Sequence, residues 1–318
     1  MPACRSVVSP GMIRRFAIAA WPLICLLHSL PARAAELKPE EVVARHLESV
    51  GTPEARAAST SRVMEAAAHF KLLVGGVGLL DGNSVLISEQ RKLQFMLKFS
   101  DVQYAGERFI SDGNRVQVIS NSAGHNRSAF ADFVYNHDEI VKEGLLGGTL
   151  STAWPLFDLE GRKAKLSYAG LKTIDGQALY DVRYRPKRSS DLEVHVYFDS
   201  DYRHVMTVYT LTVRPQMAHR DPDINDVSRP VPASDNAPAQ EIAQSSETLN
   251  ARQQETRYRL EERFSDFSKV NGLNLPTRYN IHFSQELGNG ATTVYEWDLH
   301  STRTVNNINP DPRNFQVK

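Results

Sequence analysis

Cysteine is nearly absent from this 318-residue chain. The two that occur, Cys4 and Cys25, both fall within the first 34 residues. Beyond that point the chain has no disulfide, no thiol nucleophile and no cysteine metal ligand. An excess of one charge is also missing: 37 basic residues stand against 37 acidic ones, with no basic stripe. A nucleic-acid partner is therefore not expected, because phosphate neutralisation calls for clustered Lys and Arg. No second apolar run reaches the roughly 20 residues a membrane helix needs. Neither a G-x-S-x-G elbow nor a phosphate-cradling glycine loop occurs.

The N-terminus has the order of an export signal. Arg14 and Arg15 precede the short apolar run Phe16 to Leu30, and "ARAA" supplies small residues for cleavage, expected after Ala34. Met12 is an alternative start. Phe16 follows the paired arginines directly, which fits a twin-arginine route poorly. Leu23 and Ile24 do not supply the small residue expected before a lipidated Cys25. Residues 1–34 are thus read as a signal peptide and the mature protein as periplasmic. Removing 34 of 318 residues leaves 284, enough for one large domain. The leader holds four of the basic residues and no acidic one, so the mature net charge is −4.

Periodicity then separates elements. "KPEEVVARHLESV" predicts a helix, with Pro39 at a first-turn position and Glu40 and Glu41 at the positive end of the dipole. A second short helix is expected around 54–66. Later segments alternate with period two. In "KLQFMLKFS", Leu93, Phe95, Leu97 and Phe99 share one face. Hairpin turns are predicted at Asp112-Gly113-Asn114, at Asp175-Gly176 and at the "DSD" of residues 199–201. Roughly nine to eleven strands follow from such patterns, mostly hairpin-connected and hence antiparallel. Pro215 to Asn250, rich in Pro, Asp, Ser and Ala, reads as a flexible insertion within a hairpin, with a domain boundary there as the alternative.

Candidate chemistry is sparse. None of the nine histidines after the leader forms H-E-x-x-H or a close metal pair. Asp199, Asp201 and His204 in "DSDYRH" suit acid/base work, but the same residue types suit a polar turn. "DPDIND" places acids at calcium-loop spacing, yet Asp226 stands where Gly is needed and Pro232 where Glu is needed. No catalytic residue, metal or cofactor is predicted. The unusual segment is "EGLLGGTLSTAWPLFDL", Glu143 to Leu159, an apolar, glycine-punctuated stretch between strands.

The helical start "LKPEEVVARHLESVG", the "GERFISDGNRVQV" hairpin and the run "YRLEERFSDFSKVNGLNLPTRYNIHF" together resemble the outer-membrane lipoprotein-sorting family, which includes LolA and LolB; the likeness covers most of residues 36–318. It implies a mainly β fold with a few helices (α+β): a strongly curved antiparallel sheet forming an incomplete barrel, with helices covering the open side. Residues 35–318 would form one such half-barrel domain.

In that fold Leu145, Leu146, Leu150, Trp154, Leu156 and Phe157 lie over the open side, and Phe95, Leu97 and Phe99 line the sheet as further candidates for a ligand cavity. Static core and movable lid remain open readings of residues 143–159. Gly147 and Gly148 would weaken a helix there by roughly 1 kcal/mol each.

The implied function is carriage of a lipid or acylated lipoprotein without covalent chemistry, alongside a membrane transporter or envelope protein. About ten buried methylenes would contribute roughly 8 kcal/mol before ordering costs. The alternative is an envelope sensor or interaction module that binds a protein or peptide. Carriage in a standing apolar hollow would be ended as a reading by a concavity filled by the protein's own side chains or lined with charge.

Overall fold

The computed structural model describes residues 37–76, 78–122, 127–187, 191–214 and 255–318. The expected signal peptide at 1–34, with both cysteines, and the expected insertion at 215–250 lie outside the described residues. Helix α1 (Pro39–Val50) begins with the expected proline and buries Val42, Val43, His46 and Val50. Helix α2 (Pro53–Ala58) is capped by Thr52, whose side chain accepts from the Ala55 N–H. The second helix therefore stops eight residues before the expected end. From Ser61 the chain is already strand β1 (Ser61–Val74). Its "EAAAH" stretch favours a helix by propensity, but Ala66, Ala68 and Phe70 alternate inward, and pairing with strands on both sides overrides propensity.

The remaining strands are β2 (Gly78–Glu89), β3 (Lys92–Phe99), β4 (Glu107–Ser111), β5 (Val116–Ser120), β6 (Lys165–Ile174), β7 (Gln177–Arg185), β8 (Glu193–Phe198), β9 (His204–Val213), β10 (Thr256–Val270), β11 (Leu273–Glu286) and β12 (Thr292–Asn306). All twelve form one antiparallel sheet ordered β5-β4-β3-β2-β1-β12-β11-β10-β9-β8-β7-β6. Two meanders are joined where the first strand pairs with the last. All three predicted turns fall between paired strands. Strands β9 and β10, which flank the undescribed 215–254, pair directly, with Val213 opposite Thr256.

The sheet is mostly β, open, and strongly bent. Phe95 on β3 and Tyr279 on β11 are four strand spacings apart, about 19 Å on a flat sheet. Their ring centroids lie 6.0 Å apart. Bending brings distant strands together over one buried face, while β5 and β6 remain the two edges.

That topology explains the segment between them. The chain leaves β5 at one edge and must re-enter at β6, the other edge. It crosses the concave face through α3 (Ala129–Asn136), α4 (Glu139–Lys142), single 3-10 turns at Gly148–Leu150 and Pro155–Phe157, and α5 (Leu159–Arg162). Helix α1 adds cover by touching β11, β6 and the second of these turns.

Candidate functional site

Leu145, Leu146, Leu150, Trp154, Leu156, Phe95, Leu97 and Phe99 are all buried in one continuous apolar core, and half-buried Phe157 packs against it. The structure thus brings together all nine residues singled out from the sequence. The concave face is occupied by the crossing strap. Phe130 of α3 stacks edge-on against Phe109 and lies 4.8 Å from the Trp297 ring; Phe133 meets Tyr258 and Phe283.

Gly147 and Gly148 have a different role from weakening a helix. Both have positive φ, at 82° and 49°. A Cβ on Gly147 would lie 2.5 Å from the Leu86 side chain, and one on Gly148 would lie 2.6 Å from the His204 ring. Glycine lets the strap backbone lie directly on the sheet.

Polar groups fasten the strap at separate points. Glu107 on β4 accepts from the Ser128 N–H (3.0 Å), and the Ser128 hydroxyl caps α3 by accepting from Ala131 N–H. Glu262 on β10 accepts from the Gly147 N–H (2.8 Å), the Tyr209 hydroxyl (2.6 Å) and the Tyr279 hydroxyl. Burial raises both carboxyls to about 7, against hydrogen bonds that favour the charged form. Arg62 on β1 donates to Thr149 O (2.6 Å). The Ser88 hydroxyl accepts from Thr152 N–H (2.9 Å), and Arg162 donates to Ala153 O (2.8 Å) and Lys142 O (3.1 Å).

Trp154 is held on two sides. Its indole N–H donates to His46 Nε2 (3.3 Å), while His46 Nδ1 lies 3.0 Å from Tyr202 O. With an acceptor used at Nε2, the proton of the neutral ring sits on Nδ1. Burial pulls His46 down to about 4. The Trp154 ring stacks on His204, centroids 4.6 Å apart.

These fastening residues were missed by motif reading. Their signal was a polar or charged side chain in phase with inward apolar positions: Arg62 with Met64 and Ala66, Glu107 with Phe109, Glu262 between Leu260 and Phe264. Strand period two sends each of them to the buried face.

The "DSDYRH" segment adopts the turn reading. Asp199 accepts from the backbone N–H groups of Asp201 and Arg203 and pairs with the Arg203 guanidinium. The His204 ring points into the core, with Nε2 2.7 Å from the Thr207 hydroxyl. Among the described residues no group of three or more His, Cys, Asp and Glu is placed to hold a metal, and no helix is long and apolar enough to cross a membrane.

No family model matches the chain, and no curated protein matches it. Among solved structures it is similar to a LolA superfamily protein from Nitrosomonas europaea, with 11% identity, a TM-score of 0.44, and 89% of this chain and 99% of that one covered. It is also similar to a DUF1329 family protein from Desulfovibrio piger, with 13% identity, a TM-score of 0.41, and 87% and 96% covered. A protein domain from Vibrio parahaemolyticus, described as outer membrane lipoprotein-sorting, shares 11% identity at a TM-score of 0.32, with 86% and 97% covered.

Proposed function

We propose that this protein is a periplasmic carrier that takes a lipid acyl chain, free or on a lipoprotein, between its bent sheet and the crossing strap. The observation that carries this is the strap itself: an apolar segment with only short helices, laid across the concave face and fastened by a few polar contacts. Helices this short are not stable in isolation, so the strap depends on what it covers.

The concave face is filled by the protein's own side chains, which ends the expected reading of a standing hollow; carriage here is instead an exchange. The strap withdraws its side chains and an acyl chain replaces them. Exposing Leu145, Leu146, Leu150 and Trp154 costs about 1.5–3 kcal/mol each, roughly 6–12 in all. About fifteen methylenes entering the same space contribute roughly 12 kcal/mol. The two magnitudes are comparable, which suits a ligand that must be both held and released. The contacts seen need no nucleophile.

Titration with a fluorescent fatty acid, followed by hydrogen exchange over residues 128–162, tests this. Saturable uptake with faster exchange in 144–157 is expected. A protein that takes up no probe, or takes it up with unchanged exchange in the strap, is not such a carrier.

One observation favours a second reading, a protein-binding envelope module whose core stays closed. Among the described residues, six of the eight exposed large apolar residues lie at one end of the sheet, Leu73, Val74, Leu79, Val102, Val213 and Leu287, and a seventh, Tyr135 of α3, lines a cleft with Val213 there. In this reading the rim docks a partner. A disulfide between Ser88→Cys and Thr152→Cys, fixing the strap to β2, separates the two: it blocks fatty-acid uptake and leaves partner capture intact.

A further inference from the structure

Arg62 is a buried cation with no acid paired to it among the described residues. It is 1% exposed. Its Nε donates to Asn306 Oδ1 (2.7 Å), Nη1 to Thr149 O (2.6 Å) and Nη2 to Ser59 Oγ (3.1 Å). All three acceptors are neutral, and two of its five N–H donors have no assigned partner. Burial lowers its proton affinity to about 10 with no neighbouring acid opposing that shift. Two other buried ionic groups have counter-charges beside them. Arg162 lies 3.8 Å from Glu143, and Glu261 sits between Arg259 and Arg263. An uncompensated buried ion costs several kcal/mol, and such groups concentrate at functional sites.

Arg62 lines a cleft of about 310 Å³ between α2 and residues 152–157. Arg56 lines it too, donating to Leu47 O and to Gly51 O (2.6 Å), both backbone carbonyls. Leu47, Phe157 and Leu273 give it apolar walls, and no Asp or Glu is among its lining residues. The cleft beside Arg91 and Arg162 contains Asp112 and Asp158, and the one beside Arg203, Arg263 and Arg278 contains Asp175, Asp199 and Asp266. Those arginines have acids lining their own clefts; among the described residues none lines this one and none offsets Arg62, while Arg56 has only the exposed Glu54 of its own helix nearby.

We propose that the cleft between α2 and residues 152–157 binds one phosphate-type oxyanion, with the Arg56 and Arg62 guanidinium groups as its counter-charges. Ligand pockets run from roughly 300 to 1,000 Å³, so this one holds a headgroup and a short apolar stem, not an acyl chain. A planar guanidinium suits a phosphate better than an ammonium does. The site exists with the strap closed and does not depend on acyl carriage.

The test is an NMR and calorimetric titration of the full mature protein with hexyl phosphate, inorganic phosphate and hexanol at fixed ionic strength. Hexyl phosphate should shift the amide signals of Ala57, Thr152 and Leu273 saturably, and hexanol should not. Inorganic phosphate binding as tightly as the ester identifies a free anion as the occupant; tighter binding of the ester identifies a headgroup.

Arg56→Gln should weaken the ester by about tenfold. Arg62→Met should abolish binding; it also leaves the Thr149, Asn306 and Ser59 acceptors without this donor, so its unligated Tm is measured alongside. Should Arg62→Met fail to fold, the wild-type shift pattern and Arg56→Gln decide. Absence of saturable shifts from either phosphate at about 10 mM, or binding by both variants equal to wild type, overturns the proposal. Failure of fatty-acid uptake leaves it standing.

Discussion

Glu262 accepts from three donors and faces no cation, so its burial dominates its titration. Folded, its carboxyl sits near 7; its ordinary value is 4.5. Between those values the folded protein keeps a proton that the unfolded chain has lost. Its contribution to stability is therefore complete below pH 4.5 and is lost as pH rises through about 7. Glu262→Gln removes this dependence. Urea unfolding across pH should show the variant gaining on wild type by up to about 3 kcal/mol from pH 4.5 to about 7, and a pH-independent difference would refute it.

His46 works in the opposite direction. Its ordinary value is 6.5 and its folded value about 4. Below 6.5 the unfolded chain takes up a proton that the folded chain does not, so this stability is present above pH 6.5 and lost as pH falls towards 4. His46→Gln keeps an acceptor for Trp154 and should lessen the fall in Tm between pH 6.5 and 4. An unchanged acid profile would show that His46 is not the group responsible. Neither residue stood out in the sequence as a site, because a buried His or Glu carries no local motif. Only its phase against neighbouring apolar residues gives it away.

Elements were legible where one physical rule governed them. The first helix, the alternation of Leu93 to Phe99 and the three tight turns follow from capping, period two and turn chemistry. The strap was half legible. Its apolar character could be read from "EGLLGGTLSTAWPLFDL"; its position over the sheet came only from the family resemblance, and the reason for it could not be read at all. That reason is topological: β5 and β6 occupy opposite edges, and no local pattern in either strand reports strand order.

Its glycines were read as helix-weakening, whereas the structure uses their missing side chains for contact with Leu86 and His204. This difference is measurable. Gly148→Ala introduces a Cβ at positive φ against a buried ring and should cost about 2–5 kcal/mol, from left-handed strain plus overpacking. Gly176→Ala, at positive φ in the β6–β7 turn with nothing within 4 Å of its Cβ, should cost only about 1–2 kcal/mol. Equal urea midpoints for the two variants would mean that the strap does not press on the sheet at Gly148.

At the scale of the whole molecule, apolar surface is distributed unevenly. The concave face is covered, yet the rim where β1, β9 and β11 end keeps Leu73, Val74, Val213 and Leu287 exposed, with Leu79 at 71% and Val102 at 83%. Single exposed apolar residues are ordinary; six gathered at one end of the sheet are less so. Folding gains little from them, so Leu79→Ser and Val102→Ser together should change stability by no more than about 0.5 kcal/mol each. Their effect belongs to what the rim meets. If acyl chains are handed over at a bilayer, the double variant should bind phospholipid vesicles at least roughly thirtyfold more weakly than wild type in a sedimentation assay, since the two lost side chains together remove about 2–4 kcal/mol of membrane contact. If the rim instead docks a protein, vesicle binding is weak in both and capture of that protein falls. Wild-type behaviour of the double variant in both assays would leave the rim without a role, and hand-over would have to be sought at the free edges β5 and β6.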